Sequence, residues 1–247
     1  MTRIYVGTAG WALSKESGGA FPGGGTHLER YARVLSTVEI NSCFYRPHRA
    51  ATYARWAAST PDAFRFTLKL PRDISHADDF VAAAREHVGE FVETSGELGA
   101  KFGCLLVQLP PSRAFDVGYV GAMAEILGGK FSCPIAVEPR HPTWFTGEGD
   151  ACLEARGLAR AAADPPRGAG NLDVAGSPRV AYFRLHGSPR IYYSAYGAER
   201  LAPWYERMRR SAGEADAVYC IFDNTAEGQA TVDALATQKV FEPPSTR

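Results

Sequence analysis

Four side chains that can transfer protons lie far apart in the chain, and each ends or follows a short apolar stretch. They are Glu39, Glu138, Asp164 and His186. Two carboxylates can divide the acid and base roles when burial keeps one protonated and a cation keeps the other ionised. Histidine is the usual proton carrier near neutral pH. We predict that these four residues are catalytic; the alternative is that Glu39 and Glu138 form structural salt bridges with Arg184 and Lys69.

Three basic side chains, Lys69, Arg140 and Arg184, occupy comparable positions and predict a clamp for a phosphate or carboxylate. Arginine binds such groups with two parallel hydrogen bonds, and lysine binds them as a point charge. The other predicted substrate contacts are Asn41, Gln108, His141, Tyr45, Trp11, His76 and Asn224. Trp11 and Tyr45 could stack on a sugar or base, or they could simply cover a barrel mouth.

The same set of residues raises the question of a metal ion. Suitable ligand types come from Glu39, His76, Glu138, His141, Asp164, His186 and Asp223. The sequence contains no H-x-x-x-H, H-x-H or C-x-x-C spacing, and three cations would share the site. We therefore predict no cofactor and no metal ligand, with a divalent ion as the lesser alternative.

Eight apolar runs, each ending in a polar or charged cluster, carry these side chains. The runs are IYVGTAGW from Ile4, TVEINSCFY from Thr37, FRFTLKLPRDISH from Phe64, GCLLVQLPP from Gly103, PIAVEPRH from Pro134, LARAAADPP from Leu158, VAYFRLHG from Val180 and VYCIFDN from Val218. Helix-like stretches separate them at 27–36, 51–60, 78–99, 117–129, 149–157, 198–213 and 226–238. Alternating strands and helices indicate βαβ units, so we predict an α/β fold: a (β/α)8 TIM-type barrel of parallel strands with its site at their carboxyl ends.

The connection between predicted strands 6 and 7 differs from the others. Its residues, RGAGNLDVAGSPR at 167–179, are rich in glycine and proline and lack helical periodicity. A parallel crossover needs about a dozen residues, so this segment can cross without a full helix. We expect one barrel domain over 1–240 and a short C-terminal tail at 241–247.

Alternation along each strand assigns side chains to one of its two faces. If the apolar faces pack on outer helices, the polar faces point into the barrel. That interior then holds Glu39, Lys69, Glu138, Arg140, Asp164, Arg184 and His186, with Asn41 and Gln108 beside them. Burying so many charges is costly unless they are paired, so a purely structural ion-pair network is the alternative to a functional site. Their clustering at strand ends favours the functional interpretation.

The composition limits the partners. Lys and Arg together number 27, as do Asp and Glu, so the formal net charge of zero disfavours general binding to nucleic acid or to anionic membranes. Five cysteines without a C-x-x-C pair indicate reduced, buried thiols. No apolar run approaches the ~20 residues of a membrane span, and a strand predicted from Ile4 leaves no room for a signal peptide. We therefore expect a cytoplasmic protein.

The motifs, taken in order, resemble those of the DUF72, or YecE-like, family. The resemblance rests on GTAGW at 7–11, EINSCFY at 39–45, KLP at 69–71 with ISH at 74–76, QLPP at 108–111, EPRH at 138–141 with Trp144, RLHG at 184–187 and FDNT at 222–225. It implies a barrel and leaves the reaction open. Ala9 replaces a usual Ser and removes a hydroxyl, whereas Asp223 replaces a usual Asn and adds a carboxylate to the rim.

The favoured interpretation is an enzyme that hydrolyses or isomerises a small anionic, phosphorylated or sugar-containing substrate. Glu138, Glu39 and His186 would perform acid–base chemistry, and the three cations would hold the anion. The alternative is a non-catalytic protein that senses a phosphorylated metabolite or a nucleic-acid end. Nothing in the sequence indicates an oligomeric state.

Overall fold

The computed structural model describes residues 2–13, 18–166 and 172–241. Within these ranges, ten strands form one sheet. They are β1 (Ile4–Ala9), β2 (Thr37–Ile40), β3 (Arg65–Lys69), β4 (Phe102–Gln108), β5 (Ile135–Glu138), β6 (Leu158–Arg160), β7 (Ala162–Asp164), β8 (Ala175–Gly176), β9 (Ala181–Leu185) and β10 (Val218–Phe222). Every one of the eight predicted runs contains a strand.

The sixth run closes the sheet into a barrel. Strands β1 to β6 pair in sequence order and in parallel, and β7, β9, β10 and β1 continue the parallel order. Only Ala161 separates β6 from β7, so this single run pairs with β5 at its start and with β9 at its end. The predicted (β/α)8 TIM-type barrel is therefore confirmed, with eight parallel runs around one axis.

Helices follow most strands, close to the stretches predicted from sequence. In the described part of the chain they are α1 (His27–Ala32), α2 (Ala50–Ala58), α3 (Arg72–Ser75), α4 (Phe80–Ser95), α5 (Val117–Gly128), α6 (Gly147–Glu154), α7 (Gly197–Glu214) and α8 (Gln229–Phe241). Several begin at a side-chain cap. Thr26 and Glu29 form a capping box on α1, and Asp79 and Asp116 accept from backbone amides of α4 and α5.

The connection between the sixth and seventh runs lacks a helix where the structure describes it, as predicted. Residues 167–171 lie outside the described residues, and 172–180 contain no helix. They contain β8, which pairs with β6 in antiparallel fashion. Of the predicted tail, Phe241 is the last residue of α8, and 242–247 lie outside the described residues.

The barrel has a separate inner core below the charged residues. Its buried members are Cys104, Leu106, Ala136, Ala159, Ala161, Val180, Tyr182, Tyr219 and Ile221. Small residues on the fourth to sixth runs leave room for the two tyrosine rings. Gly103 serves the same purpose, because a Cβ there would lie 2.2 Å from the Tyr219 Oη. At the first strand, a Cβ on Gly7 would lie 1.9 Å from the Thr37 carbonyl oxygen, so β1 and β2 approach closely only with glycine.

Two other sequence expectations concern the thiols and the membrane. All five cysteines are buried and free, as predicted. Among the helices of the described ranges, none is long and apolar enough to cross a bilayer.

Candidate functional site

Arg184, at the carboxyl end of β9, is the centre of a charged cluster inside the barrel. Its side chain is 1% exposed. The guanidinium Nη2 lies 2.8 Å from Glu39 Oε1, and Nε lies 3.1 Å from both oxygens of the same carboxylate. Tyr182 Oη donates to Glu39 Oε2 at 2.7 Å, and Thr67 Oγ1 contacts that hydroxyl at 2.8 Å. Glu39 is thus held by Tyr182 of the inner core and by Arg184.

Glu138, at the end of β5, collects four donors on a fully buried carboxylate. Arg184 Nη1 donates to Oε2 at 3.2 Å. On Oε1, Arg140 Nε lies at 2.8 Å, Gln108 Nε2 at 3.0 Å and His186 Nε2 at 3.2 Å. The alternation of β4, β5 and β9 brings these side chains to one point, which confirms their predicted inward orientation.

His186 lies between two carboxylates. Its Nε2 contacts Glu138 Oε1, and its Nδ1 lies 2.9 Å from Asp223 Oδ2. Arg184 Nη2 also reaches Asp223 Oδ2, at 3.0 Å. Both ring nitrogens can donate to these carboxylates only when the imidazole carries two protons. In the neutral ring, Nε2 can instead accept from Arg140 Nη2 or Arg184 Nη1, each 3.4 Å away.

The charges around Glu138 and Asp223 keep both carboxylates ionised. Burial alone raises the pKa of Glu138, but Arg184, His186 and Arg140 outweigh it and hold that pKa well below its usual range. Burial likewise raises the pKa of Asp223, and Arg184 together with the hydrogen bond from His186 lowers it below its ordinary value. Glu138 therefore fits the ionised member of the expected acid–base pair and not the protonated member.

Lys69, at the end of β3, is the least paired cation of the cluster. Among the described residues its ammonium makes no hydrogen bond or ion pair; Nζ lies 3.7 Å from the centre of the Phe44 ring. The residue is only 8% exposed. Burial and the charge of Arg184 lower the pKa of Lys69 to about 8, against the opposing effect of the nearby carboxylates. A desolvated ammonium of this kind is costly to maintain, which is typical of functional lysines.

His76 and Tyr45 both meet the Phe44 ring, next to Lys69, and His141 follows β5. The His76 ring meets the edge of Phe44 with centroids 5.2 Å apart, and burial followed by the charge of Lys69 lowers its pKa. Tyr45 is 79% exposed. His141 Nδ1 accepts from the Thr143 amide and so caps a short 3₁₀ turn. His76 therefore borders the cluster, whereas Tyr45 and His141 stand outside its hydrogen bonds.

Two predicted contacts, Asn41 and Trp11, line a separate open groove next to β1 and β2. The groove has a volume of about 320 Å³ and is bordered also by Gly10 and His27. Trp11 packs edge-on against Trp56, and the buried Asn41 Oδ1 has no hydrogen-bond partner within the described ranges. These residues could contact an extended ligand, but they do not join the central cluster.

Asp164 is not in the barrel interior, contrary to the alternation argument. Its Oδ2 accepts from Tyr196 Oη at 2.7 Å, just before α7. On the same face of the run, Arg160 pairs with Asp150 of α6 at 2.6 Å, so polar side chains here point outward. Alanines occupy both faces of this run, and the rule that polar faces point inward therefore fails.

Asn224 also lies away from the central cluster. Its Nδ2 donates to the Ser194 carbonyl at 2.9 Å and to Asp233 Oδ2 of α8 at 2.8 Å. The adjacent Asp223, which the sequence predicts as a rim carboxylate and as one of the possible metal ligands but not as a substrate contact, is the residue of this pair that joins the cluster. Tyr182 was not predicted as a site residue. Its shared strand face with Arg184 and His186 is the sequence signal that could have identified it.

The space next to His186 is narrow. The gap bordered by Arg140, Ala163, Pro165, His186 and Ile191 has no room for a water molecule. Arg140, whose side chain is 14% exposed, forms its outer border. Within the described residues, no three His, Cys, Asp or Glu side chains are grouped as ligands for a metal ion.

Comparison with known proteins gives a consistent family. The model for the family described as "Protein of unknown function DUF72" matches residues 5–246. The UPF0759 protein YecE of Escherichia coli (strain K12) is 34% identical over 161 residues, which are 63% of this chain and 55% of that protein. The UPF0759 protein YunF of Bacillus subtilis (strain 168) is 20% identical over 263 aligned residues, 92% of this chain and 90% of that protein. The match thus spans about half the length of the E. coli relative.

Solved structures show the same fold. A DUF72 family protein from Enterococcus faecalis V583 superposes with a TM-score of 0.79 at 21% identity, covering 99% of this chain and 100% of its own. A DUF72 family protein from Thermotoga maritima MSB8 gives 0.78 at 24% identity, covering 97% and 99%. A xylose isomerase-like TIM barrel/4-hydroxyphenylpyruvate dioxygenase fusion protein gives 0.51 at 14% identity, covering 85% and 39%. Since the family model spans almost the whole chain, this protein belongs to the DUF72 family.

Proposed function

We propose that this protein is an enzyme that binds a small anionic substrate at the barrel mouth and transfers protons through His186. Hydrolysis and isomerisation are the two reaction types that fit this chemistry. The observation that carries the proposal is the position of the His186 ring, which lies between the carboxylates of Glu138 and Asp223 and next to Arg140.

The surroundings of His186 suit either protonation state. The doubly protonated ring donates to both carboxylates, and a ring that has lost the Nε2 proton can accept there from Arg140 or Arg184. A proton can therefore leave or arrive at Nε2 with little rearrangement of neighbouring groups, which is the arrangement that preorganised catalytic sites require.

The anion would be held by Arg140 and Lys69. Arg140 Nη1 makes no hydrogen bond among the described residues, and the Lys69 ammonium lacks a counterion there. Arg184 differs, because all three of its nitrogens already contact carboxylates. We therefore assign Arg184 a positioning role for Glu39, Glu138 and Asp223 instead of direct contact with substrate.

Thermal denaturation with a panel of compounds tests the binding step. The panel contains inorganic phosphate, ribose 5-phosphate, glucose 6-phosphate and pyruvate, with neutral glucose as the control compound. We expect at least one anionic compound to raise the unfolding temperature of the parent but not that of Arg140→Gln. The matched control is Arg209→Gln, which removes an exposed surface charge on α7.

Nuclear magnetic resonance of each binding compound, incubated with the protein, then tests turnover. A product that forms with the parent and not with His186→Asn supports the enzyme. Binding without any product favours the alternative of a non-catalytic sensor. If no anion shifts the parent, or if Arg140→Gln responds as the parent does, the anion site is wrong.

A further inference from the structure

We propose that Lys69 is a nucleophile that forms a Schiff base with the carbonyl carbon of the anionic substrate. The substrate class is then an aldehyde, ketone or 2-oxo acid that bears a phosphate or carboxylate. This inference rests on the proposed function, because the anion site at Arg140 would bring the carbonyl compound to the mouth.

Among the described residues, the amino group of Lys69 has no hydrogen-bond or ion-pair partner. Nζ lies over the Phe44 ring, and the residue is almost buried at the carboxyl end of β3. Lys101 provides the contrast: its Nζ donates to the carbonyl oxygens of Ala57 and Thr60, both at 2.6 Å. The Lys101 amine is thus occupied as a donor, whereas the nitrogen of Lys69 is free to attack once it has lost a proton.

The electrostatic surroundings favour the neutral amine of Lys69. With a pKa lowered to about 8, roughly one molecule in ten carries the neutral amine at pH 7, compared with fewer than about one in a thousand for an ordinary lysine. Burial is the main cause, and Arg184 adds to it. Lowering of this kind by an apolar surface and a neighbouring cation is a known way of activating a lysine.

The chemical step balances without an oxidant or reductant. The Nζ lone pair attacks the carbonyl carbon, a C–N bond forms, and the carbonyl oxygen takes a proton to give a carbinolamine. The nitrogen gives up one proton, the C–O bond then breaks, and the oxygen leaves as water after accepting a second proton. The product is the protonated imine on Lys69, which withdraws electrons from the adjacent carbon; the one proton needed beyond that released by the nitrogen comes from solvent.

Reductive trapping tests the proposal on the full chain. The protein is incubated with pyruvate, glyoxylate or dihydroxyacetone phosphate in the presence of cyanoborohydride, with neutral acetone as the control compound. Intact mass and peptide mapping then measure the adduct. We expect at least tenfold more adduct on Lys69 than on the exposed Lys130, because the lowered pKa of Lys69 gives it a larger neutral fraction than an ordinary lysine has at pH 7.

Matched variants separate the site from the rest of the chain. Lys69→Arg retains a positive charge but cannot form an imine, so we expect it to lose the adduct. Lys101→Arg should retain the adduct. Circular dichroism and thermal denaturation show whether each variant is folded, and peptide mapping of the parent identifies the modified lysine independently of them.

Two kinds of result would overturn the proposal. One is an adduct spread evenly over several lysines or retained in Lys69→Arg. The other is the absence of any adduct on the parent. If sugar phosphates still bind in an Arg140-dependent manner without an adduct, the Schiff base alone is wrong; if they do not bind either, the proposed function fails as well.

Discussion

Arg184 and Glu39 are 145 residues apart in the sequence, yet their side chains meet inside the barrel through three contacts of 2.8 to 3.1 Å. The planar guanidinium matches the carboxylate with two nitrogens, an arrangement that lysine cannot reproduce. Because both side chains are buried, the pair has a large influence on stability, and the same arginine also reaches Glu138 and Asp223.

Replacing Arg184 should leave the buried carboxylates of Glu39, Glu138 and Asp223 without their shared cation. We expect Arg184→Met to lower the free energy of unfolding by about 3–5 kcal/mol, since it leaves the partner carboxylates uncompensated. The double variant Arg184→Met/Glu39→Gln should recover part of that loss. Denaturant unfolding of the parent, both single variants and the double variant measures the coupling. A coupling energy near zero would contradict the geometry of the pair.

The hydroxyl of Tyr182, in the inner core, donates to the buried carboxylate of Glu39. We expect Tyr182→Phe to lower the free energy of unfolding by about 1.5–3 kcal/mol, because it removes a donor to a buried charge. Tyr219 is the matched control: it belongs to the same inner core, and its hydroxyl makes no hydrogen bond with the described residues. Tyr219→Phe should therefore cost less. Equal losses in denaturant unfolding would argue against a special role for the Tyr182 hydroxyl.

Glu138 should make stability depend on pH in the acid range. Its folded pKa is depressed, so its contribution is complete above the ordinary value of 4.5 and is lost as the pH falls through the lower folded pKa. Glu138→Gln should be about 3–5 kcal/mol less stable than the parent at pH 7 and pH 5, with a smaller difference near pH 3. Glu125→Gln, on the exposed side of α5, serves as control. A difference that stays constant down to pH 3 would be evidence against an ionised, paired Glu138.

The charged form of Lys69 should lower stability, whereas the charged form of Glu138 raises it. The folded pKa of Lys69, about 8, lies below the ordinary 10.5, so the folded state loses its proton first, and stability rises with pH between these values. At pH 7 the buried ammonium costs stability, and we expect Lys69→Met to be about 1–3 kcal/mol more stable than the parent. The difference should narrow as the pH approaches 10. A destabilised Lys69→Met at pH 7 would indicate a structural lysine.

The sequence predicts most of the architecture because most strand runs have one clearly apolar face. That contrast assigns Glu39, Lys69, Glu138 and Arg184 to the barrel interior, and all four are buried in the structure. Asp164 does not follow this pattern. Its run is mostly alanine, so neither face is distinguished, and its polar residues bond to outer helices.

Other features depend on tertiary contacts that no single strand reveals. The choice between Asp223 and Asn224 depends on how the chain leaves β10, and the hydrogen bond from Asn224 to Asp233 settles the outward orientation of the asparagine. Likewise, the pairing of Asp223 with His186 requires the register of β9 against β10. Alternation also does not predict that Lys69 lacks a hydrogen-bond or ion-pair partner among the described residues, because that depends on how all the charged side chains pair with one another.

Isothermal titration calorimetry in two buffers with different ionisation enthalpies tests whether His186 exchanges a proton when an anion binds. The compound is the anionic member of the panel that most stabilises the parent, and the proteins are the parent and His186→Asn. We expect binding to the parent to be accompanied by proton uptake or release, seen as a buffer-dependent heat. His186→Asn should still bind, within about tenfold in affinity, with that proton exchange reduced or absent. The same proton exchange in both proteins, or no binding to a folded parent, would rule out proton transfer through His186 at an anion site.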